Sequence, residues 1–166
     1  MSDENEALGR IERQGSNYVA RLERQIPHLP AEVWAMLTDP ARFVDWLAPG
    51  EIELNEGGDA KLNCVDSGIV IDSVVTACEP ERVLEYSWSG PGEPERPVRY
   101  ELEPSEEGTR LTLTLTAPVD EDMARSAAGW EAHLMMLLAA IEGVPIKFPF
   151  ERFQSTRAAY NEQLAG

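Results

Sequence analysis

Three runs between residues 82 and 117 constrain the fold more than any other feature. Leu84, Tyr86 and Trp88, then Val98, Tyr100 and Leu102, then Leu111, Leu113 and Leu115 recur at every second position, with Glu, Arg, Ser or Thr between most of them. A period of two places each triplet on one side of a strand. The connections are a Pro-Gly loop over 90–97 and the turn Ser105-Glu106-Glu107-Gly108, both too short for the crossovers that parallel strands need. These residues therefore predict an antiparallel sheet with one apolar face, and that face must be covered.

The best cover is the segment 121–142. Met123, Ala127, Trp130, Leu134, Leu137 and Ile141 fall at helical spacing, and Gly143 is placed to end the helix in a left-handed conformation. The run Leu134-Met135-Met136-Leu137-Leu138-Ala139-Ala140-Ile141 is apolar nearly all round, so this helix must meet neighbours on more than one side. Met135 and Met136 are read as core fillers, the common use of a flexible thioether, with a second subunit as the alternative.

Earlier in the chain, 9–13 and 18–26 flank a Gln14-Gly15-Ser16-Asn17 turn and read as a hairpin. In its second arm Tyr18, Ala20, Leu22, Arg24 and Ile26 share a face. Pro30 opens one short helix with Val33, Trp34 and Leu37 on its apolar side. Asp39 caps a second, in which Pro40 takes the first position and Phe43, Trp46 and Leu47 are buried. Strands at 51–54, 59–65 and 69–78 follow, separated by Gly57-Gly58 and Asp66-Ser67-Gly68. A last helix over 150–164 sets Phe150, Phe153, Arg157, Tyr160 and Leu164 on one face, which docks it on the body. The organisation expected is a flexible 1–8, one domain over 9–143, and an extension over 144–166 carrying the docking helix.

The chain has 166 residues, enough for one domain with a full core, and a formal net charge of -16. That charge argues against nucleic acid, whose binders cluster Lys and Arg, and against anionic membrane surfaces. The longest apolar run is too short to span a bilayer. Cys64 and Cys78 have no CxxC spacing and no nearby base, and no N-terminal stretch resembles a signal peptide, so a reducing cytoplasm is expected, with both thiols acting as small hydrophobes.

No HExxH, GxSxG, P-loop or GxGxxG is present, and Asp120-Glu121-Asp122 reads as charge at a helix N-terminus; neither metal nor cofactor is expected. His133 is the weak catalytic candidate, one turn beyond Trp130 at the edge of the apolar stripe, where it could act as a general acid or base or simply hydrogen-bond a neighbour. His28 is read as stabilising a turn. Trp46, Tyr86, Trp88, Tyr100 and Trp130 all fall on inward faces, which suits either a packed core or an aromatic-lined pocket. With His133, Leu134 and Leu137 they form the candidate ligand-binding set.

A family resemblance rests on these same residues. Arg24-Gln-Ile-Pro-His28, Val33-Trp34-Ala-Met-Leu37-Thr38-Asp39-Pro40 and Trp46-Leu-Ala-Pro49, then Glu79-Pro80-Glu-Arg82-Val-Leu84-Glu-Tyr86-Ser-Trp88, Gly108-Thr109-Arg-Leu111 and Gly129-Trp130-Glu-Ala-His133-Leu134, occur in the order of the family's landmarks. The chain resembles bacterial relatives of the activator of the ninety-kilodalton heat-shock-protein ATPase, within the START-like or SRPBCC superfamily. The resemblance implies a helix-grip α+β fold: a curved antiparallel sheet around a long C-terminal helix, with two short helices after the first long strand. It also implies a gap beside that helix, and three functions. Non-enzymatic binding of a small hydrophobic or aromatic ligand in an internal pocket comes first. A chaperone-associated or stress-response interaction protein, and a polyketide cyclase or dehydratase, are the alternatives. A monomer or a homodimer fits each.

Overall fold

The computed structural model describes residues 8–64 and 68–165. The turn expected at Asp66-Ser67 and most of the N-terminal segment lie outside them. Eight strands form one antiparallel sheet: β1 (Arg10–Gln14), β2 (Asn17–Ile26), β3 (Gly50–Ile52), β4 (Asp59–Cys64), β5 (Ile69–Glu79), β6 (Val83–Ser87), β7 (Pro97–Ser105) and β8 (Gly108–Pro118). Their spatial order is β1-β2-β8-β7-β6-β5-β4-β3. Helices α1 (Pro30–Thr38) and α2 (Pro40–Phe43) interrupt the strands, and α3 (Met123–Ile141) and α4 (Phe150–Ala165) follow them.

Register explains why the sheet has one inner face. Leu84 pairs with Tyr100, Tyr100 with Leu113 and Leu113 with Leu22, so four buried side chains form a row across β6, β7, β8 and β2. The next row runs Tyr86, Val98, Leu115 and Ala20, also buried. Shifting any of these strands by one residue would turn its buried set to solvent. Against these rows α3 lays Met123, Ala127, Trp130, Leu134 and Leu137.

The ends of the elements follow local chemistry. The Asp39 carboxylate accepts the Ala41 N–H, and Pro40, which has no N–H to lose, takes the first position of α2. Asp122 caps α3 through Arg125 N–H, which starts the helix at Met123, two residues later than the sequence pattern indicates. Gly143 has φ +81° directly after α3, the left-handed geometry that glycine accepts without strain.

Two readings are corrected. Met136 packs against the core, but Met135 is 42% exposed. Phe153, Tyr160 and Leu164 dock α4 on the body, but Phe150, at the first residue of the helix, is 66% exposed. Among the described residues no helix is long and apolar enough to cross a membrane.

Candidate functional site

Four of the five inward aromatics, Tyr86, Trp88, Tyr100 and Trp130, meet in one connected cluster under α3. Tyr86 and Tyr100 lie 6.0 Å apart between ring centres, and their hydroxyls share a hydrogen bond of 3.1 Å. Tyr100 is 6.4 Å from Trp130, and Trp130 stands edge-on to Trp88 at 4.9 Å and 75°. Trp130 also leans on His133 at 5.7 Å, and Phe148 meets that imidazole at 5.6 Å and 67°. The chain of rings continues through Phe148 to Phe150 and Phe153. Adjacent strand positions and one helical turn between Trp130 and His133 bring these rings together.

Where a pocket is expected, the structure has a small cavity of about 30 Å³ between β7, β8 and the first two turns of α3. Trp88 and Trp130 border it, with Pro97, Val98, Leu115, Ala117 and Met123 as apolar walls and Arg96 and Ser126 as polar ones. The rest of the candidate set stands elsewhere. Trp46 is buried, and its indole N–H donates to the Met36 carbonyl at 2.7 Å. Leu134 and Leu137 pack in the core, and Tyr86 and Tyr100 close the floor behind Trp130. A close-packed core admits no ligand without movement.

Electrostatically the cluster is neutral. Burial pushes the Tyr86 and Tyr100 hydroxyls well above the ordinary phenol range. Burial also lowers the His133 pKa, against a smaller opposing effect of its bond to the Trp46 carbonyl. Its Nδ1–H donates to that carbonyl at 2.8 Å, fixing the tautomer and tying α3 to the segment after α2. Burial likewise raises both thiols, Cys64 and Cys78, which keeps them protonated and weakly reactive.

At the mouth of the small cavity Arg96 forks onto Glu121, through Nε at 2.7 Å and Nη2 at 3.0 Å, while Nη1 donates to the Trp88 carbonyl at 3.2 Å. This pair fastens the loop before β7 to the residue preceding the α3 cap. A separate surface cleft of about 260 Å³ lies beside β5 and the same loop. Its serines are already partnered: Ser73 with the Ser87 carbonyl, and Ser87 and Ser89 with each other. Among the described residues no group of three or more His, Cys, Asp or Glu could hold a metal ion.

Two polar arrangements were not found from the sequence. Arg24, 4% exposed, pairs with Glu131, 3% exposed, through Nη2 and Oε1. The Tyr160 hydroxyl of α4 donates to Glu131 Oε2 and accepts the Gly9 N–H at 2.8 Å, which also reaches that carboxylate at 3.2 Å. The signal was present: Arg24 shares the inward parity of Leu22 and Ile26, and Glu131 adjoins Trp130 on a largely buried helix. The second is His28, whose ring bridges Glu32 at 2.9 Å and Glu142 at 2.5 Å. The local partner fits a turn-stabilising role; Glu142, 114 residues away, could be found only from the fold.

A curved antiparallel sheet gripping one long helix, with two short helices inserted after the first long strand, defines a helix-grip α+β protein. The model of the family described as activator of Hsp90 ATPase homolog 1-like protein matches residues 27–142, and the chain belongs to that family. Among solved structures it is similar to CalU16 from Micromonospora echinospora, with a TM-score of 0.74 and 24% identity over 95% of this chain and 98% of that one, a likeness of fold alone. It is also similar to the protein encoded by gene BPP1335 from Bordetella parapertussis, at TM-score 0.70 and 29% identity over 90% of this chain and 86% of that one. DynU16, a protein in the dynemicin biosynthetic locus, matches at TM-score 0.70 and 30% identity over 76% of this chain, which spans 48% of DynU16. No curated protein matches the chain.

Proposed function

We infer that this protein binds a small planar hydrophobic or aromatic molecule without transforming it, and that the ligand enters between Trp88 and Trp130. The observation that carries this reading is the edge-on indole pair bordering a small cavity beneath the start of α3, with Pro97, Val98, Leu115, Ala117 and Met123 around it. Two indoles that part by a few ångströms offer flat apolar faces to a ring, and Met123 can adapt to what enters. The locus of DynU16, named for the biosynthesis of dynemicin, supports a small-molecule role. The binding set is then Trp88 and Trp130 in direct contact, with Tyr86, Tyr100, His133, Trp46, Leu134 and Leu137 as the floor and frame.

A cyclase or dehydratase role for His133 is less supported. Its Nδ1–H is committed to the Trp46 carbonyl, and Trp130 and Phe148 pack against its ring. The family description favours a chaperone-linked partner as the second reading. A cytoplasmic location belongs to both.

The test uses N-phenyl-1-naphthylamine, a neutral dye that brightens in apolar surroundings. Saturable one-site enhancement is expected. Ser126→Phe, at an exposed position on the rim, is expected to weaken binding at least tenfold while leaving the fold unchanged. No saturable binding, or binding unaffected by that ring, would contradict the reading.

A further inference from the structure

The walls of the Trp88/Trp130 cleft specify more than an apolar ligand. Among the residues lining it the polar side chains on the cleft side are Arg96, Ser126 and the two indoles; Thr116 alternates with the inward Leu115 and Ala117 and turns its hydroxyl to the other face of β8. An indole N–H and a guanidinium can only donate, and a hydroxyl does either. None of the lining residues carries a carboxylate or a side-chain amide; the nearest carboxylates, Glu121 and Glu93, stand at the mouth and are engaged with Arg96. Arg96 is the one formal charge in the lining, in a chain whose net charge is -16.

Arg96 is held for this role from outside. Glu121 grips Nε and Nη2, and the Trp88 carbonyl takes Nη1, with Glu93 3.5 Å from the same nitrogen. A guanidinium has five N–H groups, so these three hydrogen bonds do not exhaust it. The carboxylates fix the plane of the group, which reduces the side-chain freedom lost when a ligand binds. Arg96 therefore stands as a preset donor at the rim of an aromatic slot.

Resting on the ligand-binding reading above, we propose that the ligand is an aromatic oxyanion, a ring system bearing a carboxylate or sulfonate, with Arg96 as the residue that selects it. The ring lies against Trp88 and Trp130, and the oxyanion accepts charge-assisted hydrogen bonds from Arg96, with Ser126 the other hydroxyl on the α3 side of the lining. Glu121 remains on the outer edge of the guanidinium or turns to solvent.

The test compares two dyes built on one chromophore, neutral N-phenyl-1-naphthylamine and its sulfonate, 1-anilinonaphthalene-8-sulfonate. In Arg96→Met the sulfonate is expected to weaken about tenfold while the neutral dye stays within twofold, so the ratio of dissociation constants moves by about tenfold. Glu121→Gln keeps Arg96 and removes its competing charge, and is expected to tighten the sulfonate roughly threefold without moving the neutral dye. If Arg96→Met does not fold, the Glu121→Gln arm decides alone. A ratio unchanged by the substitution that folds, with the neutral dye still bound, overturns the oxyanion proposal and leaves the cleft standing. Failure of both dyes to bind the wild-type protein overturns the cleft as well.

Discussion

Replacing Tyr160 by Phe removes one oxygen atom from a buried polar arrangement that joins α4, α3 and β2. Tyr160 is fully buried, and its hydroxyl serves Glu131 Oε2 and the Gly9 N–H together. The Gly9 N–H retains the carboxylate as an acceptor at 3.2 Å, so the loss falls on Glu131. That carboxylate keeps Arg24 but loses a donor where water cannot replace it. A buried hydrogen bond to a charged group contributes about 1.5–3 kcal/mol, which puts the expected loss at roughly 2 kcal/mol. For a domain of this size that lowers Tm by about 4–8 °C. Urea denaturation should show a lower midpoint at unchanged slope, because the native surface is the same in both proteins. A loss below about 0.5 kcal/mol would refute the claim that α4 completes the charge arrangement inside the fold. A changed slope would instead mean that α4 had detached.

The same network makes a second prediction: Arg24→Met alone should cost about 3–5 kcal/mol by leaving Glu131 buried without its cation, whereas Arg24→Met with Glu131→Leu should cost less than that single change, as read by denaturation of all the variants. The two histidines give opposite pH dependence. Hydrogen bonds to Glu142 and then Glu32 raise the His28 pKa, so its stabilisation is complete below the unfolded value of about 6.5 and is lost as pH rises through the folded one. His28→Gln should flatten the stability profile just above pH 6.5. Burial lowers the His133 pKa, so its neutral form stabilises fully above about 6.5, and that contribution is lost as pH falls toward the folded value. His133→Gln, measured by thermal denaturation, should therefore flatten the profile below 6.5.

Most of the fold was legible because its strands obey a strict alternation that the sheet preserves. The triplets ending at Trp88, Leu102 and Leu115 appear in the structure as transverse rows, and the two short helices begin at the prolines that mark them. The family match confirms the resemblance that the same landmarks carry. The small size of the cavity at Trp88 and Trp130 was not legible, since periodicity tells which way Trp130 or Tyr100 points but not how far α3 stands from the sheet. Met135 was misread because an all-apolar helical run does not reveal which arc stays uncovered. Arg24 and Glu131 show a further limit: each lies on an inward face, and only their meeting across 107 residues explains why a charge is tolerated there.

The central claim is that a planar ligand parts Trp88 from Trp130. The most direct measurement is an NMR structure of the protein saturated with N-phenyl-1-naphthylamine. The account predicts nuclear Overhauser contacts from the dye to the Trp88 and Trp130 rings and to the Met123 methyl group, with the two indoles farther apart than 4.9 Å. A dye held only at the exposed Phe150, or indoles left edge-on at their present spacing, would contradict it.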